Sequence, residues 1–257
     1  MQTQLCPPPH TPPTLPTPSN PSPNTNTVLD DALTLRRKVF IDEQNCSPAN
    51  EIDADDLRSW HWVVYSRTRP EEINLGRIAT GTTTGSTTGS TTGHGNEALL
   101  AIGVIRLVPP PHAPHCLGGS TAETPEGSPK HGHEHEQAHE EEYDMLHEPY
   151  IKLTRVAVLP EYRGKGIARH LVETAVDWAR QWPGEIQAAA DRVRRDVYNT
   201  NASAYAKWNG LVLVHAQVSV EGMYQRLGFK TDEGMGRWDE EGIDHVGMWR
   251  RGYSLKS

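Results

Sequence analysis

Cysteine is scarce and scattered. Cys6, Cys46 and Cys116 form an odd set with no CxxC pair, so no disulfide framework is encoded, and a reducing compartment is expected: cytoplasm, with the nucleus left open. Long apolar runs are missing too. The longest, Ala98 to Ile105, falls far short of the roughly 20 residues of a spanning helix, so no membrane protein is expected. Basic residues are outnumbered, 25 against 33 acidic ones, giving a net charge of −8. That balance speaks against a nucleic-acid binder, which needs a basic stripe to neutralise phosphates. The first 27 residues hold no Lys or Arg and nine prolines. They read as neither a secretory signal nor a transit peptide but as a disordered, partly polyproline tail.

What the chain has in plenty is Gly and Pro, 22 and 20 residues. Thr80 to Gly93 contains only Thr, Gly and Ser, with Gly every fourth position. No face of such a tract can be buried, so it reads as a flexible linker. A second tract opens with three prolines at Pro109 and ends in the His/Glu run His131 to Glu142, too polar to offset the entropy of ordering it. The expected organisation is a tail at 1–27 and a single domain at 28–257. That domain carries disordered insertions at about 70–96 and 109–147 and a partly helical insertion at about 186–207. Roughly 165 to 175 residues remain for a core, a single-domain size. Residues 1–27, 80–93 and 112–142 are expected to be dispensable for folding.

The remaining segments alternate in period. Leu29, Ala32, Leu33, Arg36, Val39 and Phe40 recur at helical spacing after a cap at Asn26 or Thr27. His61–Tyr65, Ala98–Val108 and Ile151–Leu159 read as strands, the first two as a long hairpin. Ile167 to Trp182 carries an i, i+4, i+8 apolar face ended by Pro183-Gly184. Leu211–Ala216 is a strand and Val220–Leu227 a short helix; Phe229–Thr231 and His245–Trp249 are final strands. The order implies an α/β domain with a sheet partly parallel and partly antiparallel.

The informative stretch runs from Leu153 to Arg169: a strand, a turn rich in Gly and positive charge, and the start of the longest helix. Free N–H groups and the dipole at a helix start make an anion site. Gly164 and Gly166 let the backbone close around a ligand, Arg163 and Lys165 add charge, and a diphosphate is the natural occupant. The Rossmann fingerprint is excluded because Arg169 stands where a third Gly is needed. The Walker pattern is excluded because Gly164-Lys165 continues into Gly166 rather than Ser or Thr. The bland reading is a turn whose charges face solvent.

Arg163-Gly-Lys-Gly166-Ile-Ala168 resembles the Arg/Gln-x-x-Gly-x-Gly/Ala signature of the GNAT superfamily of acetyl-CoA-dependent N-acetyltransferases. Arg37 to Gln44 with Glu51, Asp53 and Asp56 resembles the first-helix region of its ElaA/YjcF-like branch. His215-Ala-Gln217, Tyr224 to Phe229 and Glu241 to Met248 resemble that branch's C-terminal half. One departure stands out: Gln217 lies seven residues before Tyr224, where the superfamily often has Asn.

The resemblance implies a GNAT fold, a mixed, mostly antiparallel twisted sheet flanked by helices with splayed central strands. It implies direct transfer of acetyl from acetyl-CoA to a primary amine of a small molecule (amino sugar, polyamine or amino acid) in a ternary complex. Alternatives are a protein or peptide acceptor, or a CoA-binding or metal-binding non-enzyme. The cofactor site would comprise Val156, Ala157, Val158, Arg163, Gly164, Lys165, Gly166, Ile167, Ala168, Gln217 and Tyr224. Tyr224 would protonate the departing thiolate; from spacing alone it reads as a core aromatic. Candidates for the base are Glu51, Asp53, Asp56, His215 and His245. Glu51 and His215 are taken as catalytic, and Asp53, Asp56 and His245 as bordering the amine. No metal is required, although His131, His133, His135 and His139 could hold one weakly. A monomer or homodimer is expected.

Overall fold

The computed structural model describes residues 1–68, 98–112, 148–198 and 206–251, so the Thr/Gly/Ser tract and nearly all of the His-rich tract lie outside the described residues. The chain forms two compact units, Met1–Leu107 with Thr154–Ala175, and Val108–Leu153 with Val176–Ser257.

In the first unit, helix α1 (Thr27–Arg36) starts where Asn26 accepts the N–H groups of Val28 and Leu29, satisfying donors that have no intrahelical partner. It buries Leu29, Ala32, Leu33, Leu35 and Arg36. The chain then widens into a π-helical stretch, Arg37–Glu43, which brings Val39 into the core. Strands β2 (Trp60–Thr68) and β3 (Ala98–Val108) pair antiparallel, with a register shift between Val64 and Tyr65. β3 neighbours β4 (Tyr150–Val158). Gly103 on β3 sits under the first turn of helix α2 (Ile167–Gln181): a Cβ there would stand 2.9 Å from Ile167 Cγ2 and 3.2 Å from Leu171 Cδ1. The missing side chain lets the helix start lie close on the strand.

One expectation fails here. The N-terminal segment is not a disordered tail: β1 (Gln2–Cys6) pairs antiparallel with β2, Gln2 opposite Tyr65 and Cys6 opposite His61. Further on, Pro16 O accepts from Arg37 and Asn24 binds Asp30. The nine prolines set the composition of the whole segment and so masked a strand that lies wholly before the first of them, Pro7. Cys6 is buried with Leu29 and Leu33, and that apolar contact is what ties the edge strand down.

In the second unit, β4 and β5 (Leu211–Gln217) run parallel from Tyr150 opposite Leu211 to Leu153 opposite Val214. The ladder stops there although both strands continue. β8 (Ile243–Arg251) pairs antiparallel with β5, β6 (Lys230–Thr231) and β7 (Arg237–Glu240), so the sheet is mixed, mostly antiparallel and open. Period two sorts its faces: Ile151, Leu153, Val212, Val214, Ala216, Val246 and Met248 are core, and His215, Gln217, Trp238 and His245 lie on the other side by register. Helix α3 (Pro183–Tyr198) follows α2 at once, with Pro183 in its first turn. It buries Ile186, Ala190 and Arg194, so the segment expected as a partly helical insertion is a regular amphipathic helix as far as Tyr198. Pro109 to His112 are buried as well, and His112 stacks on Tyr150 at 4.4 Å; the second tract therefore starts later than its prolines suggest. A short helix α4 (Glu221–Arg226) carries Tyr224.

Removing residues 1–6 should cost about 2 kcal/mol through the lost cysteine burial and ladder, or roughly 4–8 °C in Tm. Burial pushes the Cys6 thiol up to about 11, so maleimide at pH 7.5 should spare Cys6 in the native chain. Rapid labelling of Cys6, read by peptide mass spectrometry, would show that β1 is not docked.

Candidate functional site

The first unit holds the strand–turn–helix segment. Pro160 ends β4, a single 3-10 turn covers Pro160–Tyr162, and Gly164 and Gly166 follow with φ of +74° and +80° and nothing within 4 Å of where a Cβ would stand. Gly164 and Gly166 thus form two left-handed positions with open space beside them, just before a 15-residue helix whose first N–H groups have no intrahelical partner. This fits a diphosphate. Lys165 lies 5.0 Å over the Tyr162 ring. Arg163 does something the sequence did not suggest. Its Nε–H donates to Val158 O at 3.0 Å and its fork holds both Glu43 oxygens at 2.7 and 2.6 Å. The guanidinium thus braces the exit of β4 against the π-helical stretch.

The acidic residues expected at the amine end occupy another role. Arg36, the last residue of α1, is wholly buried. Its Nε meets Glu51 Oε1 at 2.5 Å, its Nη1 meets Asp56 Oδ1 at 2.6 Å, and its Nη2 donates to the Glu51 carbonyl. Arg106, inside the apolar run of β3, forks onto Asp53 at 2.7 and 2.8 Å, reaches Asp56 Oδ2 at 3.0 Å and donates to Thr154 Oγ1 at 2.8 Å. Arg155 adds a third cation beside Glu51 and Asp53. Asp53 caps the turn Ala54–Arg58, and its own N–H is taken by Asp56. His61 Nε2 stands 3.3 Å from both Asp56 Oδ1 and Arg36 Nη1.

Three carboxylates against three guanidiniums make a neutral cluster, so an added proton on His61 would be unmatched. Burial lowers His61 to about 4, against the partial support of Asp56. For Asp56, burial raises the carboxyl, but the His61 hydrogen bond and the Arg36 and Arg106 charges outweigh it and hold it well below the usual range. For Asp53, burial is likewise overcome, by Arg106. This geometry corrects the expectation for Glu51, Asp53 and Asp56. Glu51 and Asp56 are 4% and 0% exposed, Asp53 is 38% exposed, and all three carboxylates are held by arginines rather than left free beside a cleft.

The second unit carries the remaining candidates. Tyr224 is buried, packs edge-on to Phe229 at 5.5 Å, and is pushed by burial well above the ordinary phenol value. Gln217 ends β5. His215 and His245 meet around Trp238, a residue the sequence reading passed over. His215 approaches the indole edge-on at 5.0 Å, and His245 stacks on it at 6.2 Å. His245 Nδ1–H donates to Ile243 O at 2.8 Å, which turns Nε2 outward as the acceptor. Among the described residues no group of three or more His, Cys, Asp or Glu side chains is placed to hold a metal ion, and no helix is long and apolar enough to cross a membrane.

The charge cluster generates a pH prediction. His61 is depressed below its unfolded value near 6.5, so its contribution is intact above that pH and lost as pH falls toward 4, where only the unfolded chain takes up the proton. The depressed Asp53 and Asp56 extend the loss to lower pH. Tm should therefore drop between pH 6.5 and 4, and more gently in His61→Gln; equal slopes would contradict this. Arg36→Met leaves the buried cluster one positive charge short beside Glu51 and Asp56 and should cost about 3–5 kcal/mol in urea unfolding.

A search of curated proteins gives no match. Among solved structures, the chain is similar to an acyl-CoA N-acyltransferase from Pseudomonas aeruginosa, at 20% identity over 86% of this chain and 89% of that one, with a TM-score of 0.43. It is similar to Escherichia coli ElaA at 18% identity over 89% and 93%, TM-score 0.44. It is also similar to Arabidopsis thaliana NAA60, whose structure was solved with acetyl-CoA, at 13% identity over 97% and 98%, TM-score 0.43. Residues 54–210 match the acetyltransferase (GNAT) family, which spans β2, β3, β4, the glycine turn and both long helices. With more than half its length inside that match, the chain belongs to the GNAT family of acetyltransferases.

Proposed function

We propose that the protein transfers the acetyl group of acetyl-CoA to the primary amine of a small molecule in a ternary complex. The observation that carries this reading is the pair of left-handed glycines, Gly164 and Gly166, opening onto empty space at the start of α2. The N–H groups from Gly164 to Ala168 hold the diphosphate, the Arg163 N–H being already donated to Pro160 O. Main-chain groups of Val156, Ala157 and Val158 take the pantetheine arm. Acetyl-CoA supplies an activated thioester carbonyl.

With Glu51, Asp53 and Asp56 committed to arginines, we assign the base to His215 and place His245 beside the acceptor. The balance is simple: an N–C bond forms and the C–S bond breaks. The amine proton goes to His215, and the departing sulfur takes the phenolic proton of Tyr224. A general acid of this kind contributes typically 10²–10⁴ in rate, and the lower end suits a leaving group that departs readily. Part of the acceptor assignment follows from charge: a chain at −8 attracts cationic amines.

A label-transfer assay over amino sugars, polyamines, amino acids and a peptide N-terminus tests the reading. Transfer to at least one small amine is expected; transfer to the peptide alone would reassign the acceptor. Tyr224→Phe should lower kcat about 10²-fold with little change in Tm or in KM for acetyl-CoA. His215→Gln should remove the acidic limb of the pH–rate profile. Wild-type kcat in Tyr224→Phe would make Tyr224 a core residue, and an unchanged limb would take the base role from His215.

A further inference from the structure

One arginine of the charge cluster sits where a strand should not bend. Arg155 lies within β4 with φ of +51°, in the left-handed region that is strained for an L residue. The in–out alternation of burial along β4 breaks off at this point, with Thr154, Arg155 and Val156 all partly exposed. Such strain persists only where the surroundings hold it, and here they are specific. Arg155 Nη2 donates to Asn50 O at 3.0 Å and to Glu51 O at 3.3 Å, and stands 3.4 Å from Asp53 Oδ2. Its Nε lies 3.4 Å from Glu51 Oε2.

The loop it grips is itself fixed. Arg36 pins Glu51 at both carboxylate and carbonyl, and Asp53 is forked by Arg106. Arg106 also holds Thr154 Oγ1, the residue just before the bend. Two consecutive strand residues are thus tied to one rigid acidic loop, and the next two, Val156 and Ala157, inherit their direction.

We propose that Arg155 is a positioning residue: its clamp on Asn50–Asp53 holds the left-handed bend in β4 and so aims the main-chain groups of Val156 and Ala157 at the pantetheine arm of acetyl-CoA. The proposal rests on the acetyl-CoA reading above. Arg155 itself supplies geometry, not a contact with the ligand. Its effect is therefore confined to the arm and spares the nucleotide end, which is held at the separate turn around Gly164 and Gly166.

Titration calorimetry with two ligands separates these terms. 3′-Phospho-ADP carries the diphosphate end of CoA without the arm. Arg155→Gly tolerates the φ but loses the clamp. It should weaken acetyl-CoA tenfold or more while 3′-phospho-ADP stays within about twofold. Arg155→Lys, which keeps the charge but cannot fork across two carbonyls and a carboxylate, should fall between. Equal loss of both ligands, or of neither, in Arg155→Gly would overturn the proposal. Should Arg155→Gly lack a cooperative melting transition, Asp53→Asn is read by the same ratio and overturns it on the same terms. A wild-type chain that binds neither ligand would instead refute the acetyl-CoA reading itself.

Discussion

The first unit depends on a neutral cluster of buried charge. Arg36, Arg106 and Arg155 face Glu51, Asp53 and Asp56, with an uncharged His61 among them. None of the buried members could be there alone, since desolvating one ion costs several kcal/mol. Together they tie α1, the loop before β2, β2, β3 and β4 into one arrangement. Replacing such a cluster with apolar side chains could give a comparably stable core, so stability alone does not explain it. Its geometric consequence does: hydrogen bonds are directional, and these fix both the acidic loop and the bend in β4.

The apolar periodicity made most of the fold legible. α1 with its Asn26 cap, β3, α2 and β5 stand where their spacing put them, because each buries a face whose period is printed in the sequence. β1 was not legible. Gln2 to Cys6 is only five residues with one buried side chain, and its pairing with β2 is a long-range event that local composition cannot show. β7 escaped for a similar reason: Arg237–Glu240 exposes most of its residues and exists because β8 offers an edge.

The candidate site divides in the same way. The glycine turn was readable because left-handed backbone demands glycine, and both Gly164 and Gly166 have positive φ. The acidic loop was misread because sequence shows carboxylates but not their partners. A signal was available: Arg106 interrupts the run Ile102 to Val108, and a charge inside an apolar strand implies a buried counterion. Trp238 carried no local signal at all, since its meeting with His215 and His245 is set by the pairing of β5, β7 and β8.

On the proposed reading the glycine turn and the bent strand have different tasks, one holding a charged end of the ligand and the other an uncharged arm. The central claim is that Gly164 and Gly166 shape the site for the diphosphate of acetyl-CoA. A thermal-shift titration with acetyl-CoA on the wild type and on the Gly164→Val/Gly166→Val double variant tests it most directly, because a ligand bound only by the native state raises Tm with its concentration. A concentration-dependent rise in the wild type, lost in a double variant that still melts cooperatively, is the predicted result. The same rise in both proteins would contradict the claim.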